Sequence, residues 1–276
     1  MRYAATVLFA ACNWIRPFAV VLCLACALVA CERVPFGDDL KDARKAMAQR
    51  DWASAEKYLE RYLRTEEDPK HRWAAWKELL DVADQGNLGP DWVVDYLETM
   101  LVEFGDHPNR ARVILRRLGD ANETARRYER AARYFTLLLL EPGLPLEESV
   151  AIHRRLAALN THLRRFDVAE EVLQSCLALP VGENLQAQCL FDLADTAAAR
   201  EHLDEGERLA LQVLEMHTAS AELRGRAGFI VADIQEQRGQ LSAAQKTFES
   251  IQETYPNPLV IQNRLDYLKK KMKAKQ

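Results

Sequence analysis

"RRYERAARYFTLLLLEP" (126–142) and "RRFDVAEEVLQSCLALP" (164–180) are two copies of one pattern, 38 residues apart. In each, an aromatic residue is followed three positions on by alanine, and four positions later by a bulky apolar residue. The steps are Tyr128, Ala131 and Phe135 in one copy, and Phe166, Ala169 and Leu173 in the other. Steps of three and four keep these residues on one face of a helix. The same form recurs in "QRDWASAEKYLERYL" (49–63) and "RGQLSAAQKTFESIQETYP" (238–256). The central small residues are Ala55, Ala131, Ala169, Gly206 and Ala244, with intervals of 76, 38, 37 and 38. Since 76 is two periods, the chain holds about six units, of which the second is irregular.

Twelve residues before each small residue stands another: Ala43, Gly119, Ala157, Ala194 and Ala232. A small residue on each of two successive helices lets their backbones approach closely. The bulky residue beside them, Leu59, Phe135, Leu173 or Phe248, fills the remaining space. Pro142, Pro180 and Pro256 stop the second helix of their units. Glycine and proline are scarce, at 11 and 10 in 276 residues, and no stretch alternates with a two-residue period. The sequence therefore predicts an all-α chain.

This arrangement of leucine-glycine, tyrosine, alanine, phenylalanine and proline resembles the tetratricopeptide repeat (TPR). The resemblance covers roughly 42–258. It weakens in unit five, where Gly206 and Ala210 replace the alanine and phenylalanine, and in unit two around "QGNLGPDW" (85–92). It implies a right-handed helical solenoid of about six helix hairpins. Residues 259–276 form a capping helix with a basic tail of Lys269, Lys270, Lys271, Lys273 and Lys275. The usual TPR period is 34. HEAT or armadillo repeats, at about 40–47, are the alternative, which the paired small residues disfavour. Longer periods ending in tyrosine-proline, as at Tyr255-Pro256, are similar to envelope members of the superfamily, such as an outer-membrane β-barrel assembly lipoprotein and a periplasmic cell-division coordinator.

The N-terminus assigns a compartment. Arg2 and Arg16 precede 13 uncharged residues, Phe18 to Ala30, too few for a membrane span of about 20. The run ends Leu28-Val29-Ala30-Cys31, which resembles the lipobox of bacterial lipoproteins. By that resemblance residues 1–30 are a signal peptide, Cys31 carries the lipid, and 31–41 is a tether. Glu32 follows Cys31. The absence of aspartate there favours the outer membrane over the inner.

Residues 31–276 carry 35 basic and 41 acidic side chains, a mild acidity that leaves no footprint for nucleic acid. No histidine forms H-E-x-x-H or pairs with cysteine at metal-ligand spacing, no phosphate-binding glycine loop is present, and no serine is placed beside a histidine. The expectation is a binding protein without cofactor or metal rather than an enzyme. Projecting the groove positions of TPR proteins onto the first helices gives Arg116, Asp120, Arg154, Phe191, Asp195, Phe229 and Asp233 as partner-binding residues. Phe191 and Phe229, one repeat apart, would be apolar anchors flanked by carboxylates; the competing reading packs both rings between repeats. Clients would be protein segments of the envelope. A pilus or secretion pilotin-like role, or a cell-wall glycan-binding accessory, is the alternative. Cys176 and Cys189 lie equidistant from a turn at 182–183 and should face each other, either as a disulfide or as two buried thiols.

Overall fold

A computed structural model describes residues 38–274. The signal peptide, Cys31, the tether up to residue 37 and Lys275 lie outside the described residues. Among the described residues there are thirteen helices and no strand. The chain divides into two compact units between Asn87 and Leu88. The first holds α1 (Asp39–Ala48), α2 (Trp52–Thr65) and α3 (Pro69–Gln85). The second holds α4 (Pro90–Phe104), α5 (Pro108–Thr124), α6 (Tyr128–Leu140), α7 (Leu146–His162), α8 (Phe166–Leu177), α9 (Glu183–Ala199), α10 (Leu203–Glu215), α11 (Ala221–Gln237), α12 (Leu241–Ile251) and α13 (Pro258–Lys273).

Local chemistry sets the helix starts. Asp38, Asp51, Asp68 and Ser220 each accept a backbone N–H of the first turn that follows, and Pro69, Pro90, Pro108 and Pro258 begin their helices. The Lys70 amide holds the Asp68 carboxyl below the usual carboxylate range. Asp38 also explains why the first helix begins at Asp39, inside the stretch read as tether. α6, α8 and α12 end at Leu140, Leu177 and Ile251, two to five residues before Pro142, Pro180 and Pro256.

The turn inside each regular hairpin repeats with the sequence period. Arg50, Arg126, Arg164, Glu201 and Gly239 all have positive φ, between 57° and 76°, at intervals of 76, 38, 37 and 38. The next residue's N–H reaches back to the carbonyl five residues earlier: Asp51 to Ala46, Arg127 to Asn122, Arg165 to Asn160, His202 to Ala197, Gln240 to Gln235. This bond closes the end of the first helix and reverses the chain. Only the last hairpin uses glycine, so the other four keep a left-handed residue that costs roughly 1–2 kcal/mol.

The paired small residues pack as the repeat requires. Ala43, Ala157, Ala194 and Ala232 on first helices, and Ala55, Ala131, Ala169 and Ala244 on second helices, are buried. Leu59, Phe135, Leu173 and Phe248 are fully buried beside them. A Cβ on Gly119 would stand 2.3 Å from the Phe135 ring, so only glycine fits where α5 crosses α6. Enlarging Ala131, Ala169 or Ala244 to leucine is expected to overpack these crossings and cost about 1–3 kcal/mol each. Ala274→Leu, exposed beyond α13, serves as the control and should be near neutral. Equal thermal shifts at all four positions would remove the repeat assignment.

The irregular second repeat straddles the division between the units. Its junction bears Asn87 at φ 51° and Gly89 at φ 94°, with Gly86 closed on the side chain of Trp52. At the other end α13 buries Ile261, Leu265 and Leu268 against Phe248 and Ile251 of α12. It leaves Lys269, Lys270 and Lys273 in solvent, as a capping helix should. Cys176 of α8 and Cys189 of α9 are joined by a disulfide, with Cα atoms 6.1 Å apart and both residues fully buried.

Candidate binding cleft

In the second unit the first helices lie side by side, α7 against α9 and α9 against α11. Their shared face is laced by charge. Arg116 of α5 pairs with Glu148 of α7. Arg155 of α7 reaches back to Asp120 at 2.6 Å and to Glu123 on α5, and its guanidinium lies 4.4 Å from the centroid of the Phe135 ring. Arg154 of α7 donates forward to Asp192 (2.5 Å) and Gln188 (2.6 Å) on α9. Arg264 of α13 pairs with Asp233 and with Glu236 (3.0 Å) on α11. These bonds join residues 28–38 positions apart, about one repeat. Each exposed pair contributes at most about 1 kcal/mol, but together they fix the register of neighbouring repeats.

The structure therefore places Arg116, Asp120, Arg154, Asp195 and Asp233 on this face, all but Asp195 already engaged. The two phenylalanines depart from expectation. Phe191 is 4% exposed, packed with Ala187, Ala227 and Ile230 between α9 and α11, and Arg226 stands over its ring at 4.7 Å. Phe229 is half-buried, edge-on to Phe248 and stacked on Tyr255 at 5.0 Å. Phe191 fills the seam between α9 and α11, where neighbouring first helices pack, and Phe229 packs within its own hairpin against α12 and the turn before α13, so neither ring stands free in a groove.

An open cleft of about 560 Å³ lies between α7 and α9. Ala151, Ala157, Ala158 and Thr161 form one wall; Asp192, Asp195 and Thr196 form the other. The Thr161 and Thr196 hydroxyls meet at 3.3 Å. His162 at the rim stacks on Tyr128 at 5.3 Å. The surrounding protein desolvates Asp192 and Asp195 and pushes both carboxyls up. Arg154 opposes this at Asp192, while at Asp195 the neighbouring Asp192 charge adds to it and Arg226 opposes. Asp195 is nonetheless open to solvent at the cleft mouth, and among the described residues nothing hydrogen-bonds to it. Sequence reasoning missed Arg155, Asp192 and Thr196. For Arg155 and Asp192 the signal was an opposite charge about one period away; Thr196, uncharged, gave none.

A second cleft, of about 780 Å³, runs over α6, α7 and α8, where Leu137, Leu140 and Val168 are exposed. His153 Nδ1 there lies 3.4 Å from the Ser149 hydroxyl, so a serine does stand beside a histidine, one helical turn away. The same nitrogen is 2.7 Å from the Ser149 carbonyl, which requires it to carry its proton and donate. It is therefore no base for that hydroxyl. Among the described residues no group of His, Cys, Asp and Glu could hold a metal ion, and no helix is long and apolar enough to cross a membrane.

No protein-family model and no curated protein matches this sequence. Solved structures do match. The apo form of RapI aligns with a TM-score of 0.59 at 10% identity, over 86% of this chain and 71% of that one. A putative kinesin light chain from Podosopora anserina with nearly identical TPR-like repeats gives 0.53 at 18% identity, over 68% and 97%. BtubC from P. vanneervenii gives 0.52 at 16% identity, over 78% and 94%. At such identities the likeness is one of fold: the chain is an all-α TPR-like helical repeat protein.

Proposed function

We propose that this protein is a lipid-tethered periplasmic scaffold that holds protein segments on the first-helix face of its repeats, in envelope or outer-membrane assembly. The observation that carries the binding role is the open cleft between α7 and α9, framed by a rigid ladder of ion pairs. A preformed groove loses little entropy on binding, so few contacts suffice. The walls of that cleft contain no Phe, Tyr or Trp among the described residues, which favours peptide over stacked sugar rings. Two features support the compartment. The sequence ends its apolar leader in a lipobox at Cys31. The buried Cys176–Cys189 bridge suits an oxidising compartment. Tethering would raise the local concentration of the scaffold at the membrane without any new contact.

One paired experiment tests both halves. Cys31→Ser is expected to abolish fatty-acid labelling and to shift the protein out of the outer-membrane fraction. Crosslinking in intact envelopes, read by mass spectrometry, should place client peptides on α7 and α9. A Cys31→Ser chain that still labels and stays with the membrane refutes the anchor; crosslinks confined to other faces refute the cleft.

A further inference from the structure

The acids on the first-helix face occupy two repeating positions. One residue after the small residue of α5, α7, α9 and α11 stand Asp120, Ala158, Asp195 and Asp233; four after it stand Glu123, Thr161, Ala198 and Glu236. Asp120 and Glu123 are answered by Arg155 of the following first helix. Asp233 and Glu236 are answered by Arg264. Arg155 sits two residues before Ala157, and the corresponding position on α11, two before Ala232, is Ile230. Ile230 is 8% exposed and belongs to the core. The arginine that would answer Asp195 is therefore missing. Arg226 stands over the Phe191 ring and acts on Asp192 and Asp195 only through its charge, without a hydrogen bond or ion pair to either.

The same break opens the cleft. Where α5 and α11 carry carboxylates, α7 carries Ala158 and Thr161, so its wall recedes. The two guanidinium groups that line the cleft have their donors in use, Arg154 on Asp192 and Gln188, Arg155 on Asp120 and Glu123. They offer little to an anion. What remains without a hydrogen-bonded or ion-paired partner is one carboxylate, Asp195, at the mouth of a cavity walled by alanine methyls.

We propose that this cleft receives a lysine or arginine side chain from an extended client segment, with Asp195 as its counter-ion; this rests on the scaffold reading above. The client supplies the cation that Ile230 withholds. An unbranched basic side chain matches both parts of the site, its aliphatic stem lying along Ala151, Ala157 and Ala158 and its charged head at Asp195. The bond is charge-assisted, which makes the site selective for basic over neutral side chains of equal length.

The test pans a random dodecapeptide phage library against the full-length lipoprotein in detergent. The enriched peptides should share a lysine or arginine at one register. A fluorescein-labelled synthetic copy should bind Asp195→Asn about tenfold more weakly. Replacing its basic residue by norleucine should cost as much on the wild type and nothing further on Asp195→Asn. Asp106→Asn, an exposed acid outside the cleft, should bind as wild type does. Asp195 makes no hydrogen bond in the fold and its charge is desolvated and repelled by Asp192, so Asp195→Asn should melt no lower than the wild type. Enriched peptides that lack a shared basic residue, or that bind Asp195→Asn undiminished, overturn the assignment while leaving the scaffold standing. A panning that enriches nothing over an unrelated bait overturns the scaffold reading and this inference with it.

Discussion

Phe191→Ala is expected to destabilise the protein by about 3–5 kcal/mol, the cost of emptying a large aromatic site in a packed core. The ring is 4% exposed and shares its cluster with Ala187, Ala227 and Ile230, so its removal leaves a void in the seam between α9 and α11. Arg226 over the ring loses its partner as well. Phe229→Ala should cost less, because that ring is only half-buried and Phe248 and Tyr255 can close on the gap. Urea denaturation reads the difference as a lower midpoint at unchanged slope. A Phe191→Ala chain that melts with the wild type yet loses its client would restore the ring to the groove and reverse the assignment.

The two phenylalanines show where sequence reasoning reaches its limit. The repeat is legible because each hairpin buries the same pair of small residues, and burial imposes a fixed period on composition. Ala131 and Ala169 could be placed at helix crossings from the sequence alone, and Gly119 against Phe135 follows from the same pairing. The groove is less legible. Counting three residues back from Ala194 places Phe191 beside the hairpin contact, but which side of a first helix stays open depends on the helices of the neighbouring repeats. α9 packs against both α7 and α11, and the aromatic goes to the α11 seam. Arg116, Asp120, Arg154, Asp195 and Asp233 lie on the first-helix face, where nothing apolar competes for their positions. Their partners were hidden by distance: Arg155 and Glu123 are 32 residues apart, and no local pattern joins them. The junction at 85–92 was visible only as a loss of pattern, since Asn87 and Gly89 mark a local backbone turn and not a change of compact unit.

Removing the disulfide is expected to have an effect nearly as large. Cys176 and Cys189 are separated by 13 positions, and closing a loop of about that size restricts the unfolded chain by about 3 kcal/mol. Both residues are fully buried, and Val150 of α7 packs on them, so the bridge ties α8 to α9 directly beneath the α7 helix that forms the cleft's other wall. The double variant Cys176→Ala, Cys189→Ala should therefore unfold at lower urea. Before global unfolding it should also exchange amide hydrogens faster across the turn at 178–182, because the fixed link between the two helices is gone. Reductant added to the wild type should act in the same direction, but slowly, since buried sulfur atoms are reached only when the turn opens. The bridge itself is checked by peptide mapping of protein alkylated under denaturing conditions without reductant. Residues 176 and 189 should appear in one linked pair. Two separately alkylated cysteines would show that the site holds buried thiols, and the predicted loss of stability in the double variant should then shrink to that of two small packing defects.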